Sequence, residues 1–253
     1  MPLLVCDIAG TTVDDGGVVY RELRSAVEAR GVTPTAAQLS AVKGTEKRSA
    51  VATLLTTGGR TTDDDEVAAT FAAFLDALRR AYSARPPRPL PGVADALTTL
   101  RDRGVSLALT TGFQRSIAEI VLGACGWGTR ALSTSPGEPT PASSPLLEGN
   151  DAHRLVVDAL VTSDTVPAGR PAPHLIHRAM ELTGTGSVAD VVSAGDTVAD
   201  LRAAANAGVA GVGVLTGGVD RAVLAAEPHA VILGSLADVT RPEIVRALGL
   251  PEA

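Results

Sequence analysis

The chain has 253 residues, enough for one large domain or two modest ones, and 45% of them are hydrophobic but only 2% aromatic, so its core is built mostly from Ala, Val and Leu. A formal net charge of −6 argues against nucleic acid as the main partner, since phosphate backbones call for a basic face. A small anionic substrate stays compatible with that charge, because a metal ion and local donors set the field inside a pocket.

Residues 3 to 8 read as a buried strand that delivers Asp7 into the small-residue loop DIAGTTVD. Four helical patterns follow with no convincing strand between them. VVYRELRSAVEARG ends at Gly31, and TPTAAQLSAVKG opens with Thr33 as its expected cap before Pro34. EKRSAVATLLTTGG comes next, then DDDEVAATFAAFLDALRRAYSAR, whose acidic start and basic end suit the helix dipole. PPRPLPG, 86 to 92, is a stiff connection and a domain boundary.

Beyond it, helices and strands alternate: helix 93 to 103, strand VSLALTT, helix 114 to 124, strand DALVT, helix 173 to 183 and strand ADVVSAG. Helix 198 to 207, strand VAGVGVL, a short helix from Asp220, strand HAVIL and helix 235 to 247 complete the series. Such alternation predicts an α/β fold with a Rossmann-like, mainly parallel sheet covered on both faces. Residues 1–15 and 91–253 form its core, and 16–90 is an inserted all-helical cap, shaped like a lid. The Ser-, Thr- and Pro-rich stretch 129–150 reads as a mobile surface loop without chemistry of its own. Cys6 and Cys125 read as buried free thiols. With no signal-like segment and no apolar run of membrane length, the sequence predicts a cytoplasmic protein without a membrane partner.

In an open parallel sheet, ligands bind beyond the carboxyl ends of the strands. Four polar clusters fall there: Asp7, Thr110-Thr111-Gly112, Arg170, and Gly195-Asp196 with Asp200 one turn later. An Asp after a strand is often only a helix cap, but four clusters at one rim point to a site. His174 and His177, three apart on one helix, read as a solvated face rather than a metal pair.

The set DIAGTTVD, TTGF, AGRPAP and GDTVAD, in this order, resembles the haloacid dehalogenase superfamily, and within it the phosphonoacetaldehyde hydrolase (phosphonatase) branch. The resemblance covers nearly the whole chain outside 129–150. It implies that Asp7 is the nucleophile that accepts a phosphoryl group, and that Mg²⁺ sits on the Asp7 and Asp196 carboxylates and the Ala9 carbonyl. It further implies that Thr111 and the Gly112 amide hold phosphoryl oxygens, and that Gly10 and Thr11 let backbone amides approach them. Arg170 then neutralises charge in transit, and Asp200 orients Arg170 or a metal-bound water. Homodimerisation through the helical insertion is also implied.

Ordinary phosphatases of this superfamily carry an acid where this chain has Ala9. A phosphonate leaves through carbon, which a carboxylic acid cannot turn into a good leaving group. An amine condensed with a neighbouring aldehyde can, because the resulting iminium accepts the bond electrons as an enamine. Only Lys43 and Lys47 are lysines among the 22 basic residues, and both fall in KGTEK on the insertion. By analogy with the phosphonatase segment, where a glycine precedes the Schiff-base lysine by three residues as Gly44 precedes Lys47, Lys47 is the imine-forming amine. Lys43 is its electrostatic neighbour. The chain departs from the branch in having no histidine after Lys47, in Phe113 for a tyrosine, and in Gly17 and Lys43 for a pocket cysteine and methionine. The leading expectation is cleavage of phosphonoacetaldehyde to acetaldehyde and phosphate. The alternatives are a Mg²⁺-dependent phosphatase acting on a small ester, and a metabolite-binding regulator without turnover.

Overall fold

The computed structural model describes residues 1–43, 45–60, 63–134, 146 and 154–252. Strand β1 (Leu3–Asp7) is buried throughout, and β2 (Val13–Asp14) follows the first loop. Four helices come next: α1 (Val18–Glu28), α2 (Ala36–Ala41), α3 (Lys47–Thr57) and α4 (Asp64–Ala84). The remaining chain runs β3 (Arg88–Pro89), α5 (Val93–Asp102), β4 (Ser106–Thr111), α6 (Arg115–Cys125), β5 (Trp127–Thr129), β6 (Leu155–Val157), β7 (Ala159–Thr162) and α7 (His174–Thr183). It ends with β8 (Val191–Gly195), α8 (Val198–Ala207), β9 (Ala210–Val214), α9 (Arg221–Ala225), β10 (Val231–Leu233) and α10 (Pro242–Ala247).

Six strands form the central sheet in the order β10-β9-β8-β1-β4-β7, every pair parallel. The order reverses between β8 and β1, so the chain leaves these neighbours in opposite directions and opens a crevice at their carboxyl ends. Side chains alternate across the sheet with the two-residue strand period. Leu3 and Val5 pack with Leu175, Ile176 and Ala203 of α7 and α8, whereas Leu4 and Cys6 join the larger core built with α5 and α6. Both faces are thus covered, as the near-continuous apolar strands require.

The four helices α1–α4 enter and leave the sheet region at one place, because β2 and β3 pair antiparallel with Val13 opposite Pro89 and Asp14 opposite Arg88. Helix α4 buries Val67, Phe71, Phe74, Leu78 and Tyr82 along one stripe, and α1 and α3 pack against it. Asp63 caps its first turn, where Asp64, Asp65 and Glu66 also lie; no basic residue falls in the last turn, so the expected charge complement exists at the start alone.

Several expectations are corrected. The cap of α2 is Thr35, which forms a reciprocal capping box with Gln38, not Thr33. The expected helix 235–247 is broken: a 3₁₀ turn spans Leu236–Thr240, and α10 begins at Pro242. Pro242 disfavours a helical residue before it, and Arg241 accordingly has ψ 136°. A second, two-stranded parallel sheet, β5 with β6, was not expected. Within 129–150, Thr129, Leu132, Ser133 and Leu146 are buried, and the Thr129 amide donates to the Leu146 carbonyl at 2.9 Å, so these four are not surface loop. Residues 135–145 and 147–150 lie outside the described residues, as does Gly44. Cys6 and Cys125 are buried free thiols, as expected.

Candidate active site

The three central strands deliver the site. Asp7 is the last residue of β1, Thr111 the last of β4, and Asp196 follows β8 directly. They line a cavity of about 460 Å³ whose wall also includes Arg170 and, from the helical segment, Tyr20, Lys43 and Lys47.

Arg170 ties two carboxylates together. Its Nη2 lies 2.7 Å from Asp7 Oδ1, and its Nη1 contacts Asp200 Oδ1, with all three side chains buried. Asp200 is held from its other oxygen by the Thr197 hydroxyl at 2.5 Å and the Thr197 amide at 3.0 Å. It is therefore the partner of the Thr197 cap in the capping box of α8 and the anchor of Arg170 at once. Burial pushes the Asp7 carboxyl up to about 6 against the pull of Arg170, with Asp200 adding to the rise. Burial works against the charge of Arg170, but Asp200 and Asp7 outweigh it and raise its proton affinity.

Asp196 sits in a cradle that side chains would fill. The Thr11 hydroxyl donates to its Oδ1 at 3.0 Å. Gly10, at φ 87°, comes so close that a Cβ there would stand 2.7 Å from Asp196 Oδ2, and a Cβ on Gly217 would overlap the same atom. The Thr216 hydroxyl donates to the Gly10 carbonyl at 2.5 Å and locks the two loops together. Thr216 and Gly217, which line the cavity, escaped sequence reasoning; LTGG after a strand reads as an ordinary turn. The Gly10 N–H donates to the Val13 carbonyl at 2.8 Å, and the Thr11 hydroxyl serves Asp196.

Burial, then Asp200 and Asp7, drives the Asp196 carboxyl well above its ordinary range. Three buried carboxylates facing one guanidinium form a site that a cation would relieve. Among the described residues no three His, Cys, Asp or Glu side chains surround one point. Two carboxylates, the Ala9 carbonyl and water nevertheless suffice for Mg²⁺, which keeps several waters. The donor set therefore fits that ion at Asp7, Ala9 and Asp196.

Thr111 accepts a hydrogen bond from the Phe113 amide at 3.1 Å, and Gly112 brings the helical segment onto the sheet rim. A Cβ on Gly112 would lie 3.1 Å from the Thr45 carbonyl and 3.5 Å from Lys47 Nζ. Lys47 is only 5% exposed, and its Nζ donates to the Thr45 carbonyl at 2.7 Å. Burial, with Arg170 as the nearby cation, lowers this amine to about 8 against the opposing pull of Asp7, Glu46 and Asp200. The second cation acting on Lys47 is thus Arg170, where Lys43 was expected. His174 and His177 line a separate surface cavity with Arg178 and Glu181.

A family model described as haloacid dehalogenase-like hydrolase matches residues 1–208. The chain belongs to the haloacid dehalogenase-like hydrolases. Among curated proteins of known name, a phosphonoacetaldehyde hydrolase from Parabacteroides distasonis is 36% identical over 129 residues, 51% of this chain and 39% of that relative. Its namesake from Bacillus cereus is 35% identical over 130 residues, with the same shares. The matched stretch thus spans well under half of either relative's length. Among solved structures, a phosphonoacetaldehyde hydrolase like protein from Oleispira antarctica superposes with a TM-score of 0.77 at 19% identity, covering 98% of this chain and 92% of that one. That likeness shows the haloacid dehalogenase-like fold. Among the described residues, no helix is long and apolar enough to cross a membrane.

Proposed function

We propose that this haloacid dehalogenase-like protein cleaves the carbon–phosphorus bond of phosphonoacetaldehyde, using Asp7 as nucleophile and Lys47 as the imine-forming amine. One observation carries the reading: a buried amine, lowered to about 8, lines the same cavity as the strand-end carboxylate, while Ala9 offers no acid to a departing alkoxide. Phosphonoacetaldehyde hydrolases among its relatives support the substrate class.

Neutral Lys47 adds to the aldehyde and water leaves, giving an iminium. Asp7 attacks phosphorus, and the carbon–phosphorus electron pair passes into the enamine. Protonation at carbon and hydrolysis of the iminium release acetaldehyde and free Lys47. Water then cleaves the acyl phosphate on Asp7, giving phosphate. Arg170 holds Asp7 in line and offsets charge on the phosphoryl group, while Thr111 and the Gly112 amide orient its oxygens. Asp7, Asp196 and the Ala9 carbonyl would hold a Mg²⁺ ion, which would supply charge neutralisation for the phosphoryl transfer. Residues 16–90 act as a cap over the core, so Lys47 reaches the substrate from the opposite side to Asp7 and the cap keeps bulk water out.

Borohydride added with phosphonoacetaldehyde should reduce the imine to a stable adduct that peptide mass spectrometry places on Lys47, and Lys47→Arg should give none. Full turnover by Lys47→Arg would end this reading. Phosphate release from small esters with phosphonoacetaldehyde inert would favour an ester phosphatase instead.

A further inference from the structure

The cavity is larger than a two-carbon phosphonate needs. The handful of non-hydrogen atoms in phosphonoacetaldehyde, at no more than roughly 30 Å³ each, fill less than half of the 460 Å³ available. Lys43 belongs to the same wall. Its Nζ lies 5.8 Å from the centre of the Tyr20 ring, and Lys47 Nζ lies 5.5 Å from the same centre, so two ammonium groups border one aromatic ring.

The charges around this wall are unevenly matched. Asp7 pairs with Arg170, Asp196 takes the Thr11 hydroxyl, Asp14 takes the Gly16 amide, and Asp15 takes the amides of Gly17 and Val19. Each carboxylate lining the cavity thus has its donor. Lys43, half-buried, makes no ion pair among the described residues. An ammonium group is strongly hydrated, so withdrawing it beside a ring is best offset by an anion. The phosphonate end of the substrate is served by Arg170, Thr111 and Gly112, which leaves Lys43 for another group.

We propose that Lys43 is a specificity-determining residue that binds a carboxylate on the substrate, placed beyond the carbonyl carbon from the phosphonate. The preferred substrate class is then a β-oxophosphonate carrying a carboxylate. This rests on the proposed reaction at Asp7 and Lys47 and extends it to the other end of the substrate. The bonds made and broken are the same: hydrogen replaces phosphorus on the carbon, and the products are phosphate and a carboxylated carbonyl compound.

Two probes without a carbonyl test it by calorimetry on the Mg²⁺-loaded protein: ethylphosphonate and 3-phosphonopropanoate. Wild type should bind 3-phosphonopropanoate at least tenfold more tightly than ethylphosphonate. Lys43→Met should erase that difference, and Lys43→Arg should keep most of it; Lys43→Gln replaces the Met variant if its thermal melt shows misfolding. Equal affinity of the two probes for wild type would overturn the proposal. So would an equal loss for both probes in Lys43→Met, since Lys43 would then serve the phosphonate. Neither probe forms an imine, so this outcome is separate from that of borohydride trapping at Lys47.

Discussion

Gly112 and Lys47 meet across the boundary between sheet and helices: a Cβ on the glycine would stand 3.5 Å from the lysine nitrogen and 3.1 Å from the Thr45 carbonyl that holds it. The bare α-carbon lets the amine sit over the strand ends. Gly112→Ala must push the Thr45 backbone and with it Nζ. We expect kcat/KM for phosphonoacetaldehyde to fall by about two- to tenfold, because the Thr45 carbonyl must give by a few tenths of an ångström and displacements near 1 Å carry penalties of up to ~100-fold. Circular dichroism should show an intact fold, and borohydride trapping should slow in proportion.

An imine at Lys47, as proposed, would link activity to pH. Its amine is lowered from an ordinary 10.5 to about 8, chiefly by burial. Imine formation needs the neutral amine, so the trapping rate should climb about tenfold per pH unit below 8 and level off above it. Stability follows the same proton. Between about 8 and 10.5 the unfolded chain binds a proton that the folded chain does not, so this group's penalty is full below 8 and is relieved as pH rises through that window. At pH 7 the penalty is ~3 kcal/mol. Lys47→Met should therefore melt at a higher temperature than wild type at pH 7 while giving no trapped adduct.

Asp7 carries the opposite sign. Its carboxyl rises from 3.8 to about 6, so the folded state keeps a proton that the unfolded chain releases. The associated stability is present below 3.8 and lost as pH climbs through about 6. Asp7→Asn should abolish phosphate release. In metal-free protein at pH 7.5 it should also raise stability by ~1–3 kcal/mol, read from thermal melts. A melting temperature below wild type would mean that the bridge to Arg170 outweighs burial.

Gly217 tests the cradle around Asp196. A Cβ there would overlap Asp196 Oδ2, so Gly217→Ala must turn the carboxylate away from its bond with Thr11. Mg²⁺ affinity, followed by calorimetry or by Mn²⁺ resonance, should fall at least tenfold. Thr216→Val, which only unhooks the loop from the Gly10 carbonyl, should cause a smaller loss.

What the sequence made legible follows from range. Asp7, Thr111 and Asp196 could be read because each ends an apolar run, and run ends define the rim of a parallel sheet. Asp200, read as orienting Arg170 or a metal-bound water, contacts Arg170 and also completes the Thr197 capping box. Thr216 was hidden because its partner, the Gly10 carbonyl, lies 206 positions away in sequence. The Arg170 influence on Lys47 is hidden for the same reason: Lys43 is near both in sequence and at the Tyr20 ring, whereas the cation that lowers the Lys47 amine comes from a loop far along the chain. Strands β5 and β6 have three residues each, too few for a period to show. Pro242 could have divided the last helix on local chemistry alone.

The β2–β3 ladder places Asp14 opposite Arg88, so the polypeptide departs from the sheet and comes back through a single doorway. Directly opposed antiparallel residues lie only ~5 Å apart, a gap that a two-residue turn closes. A whole group of helices can therefore be cut out and replaced, or exchanged for another group, without re-threading one strand of the sheet. Evolution could redesign what this enzyme recognises while leaving Asp7 where it stands.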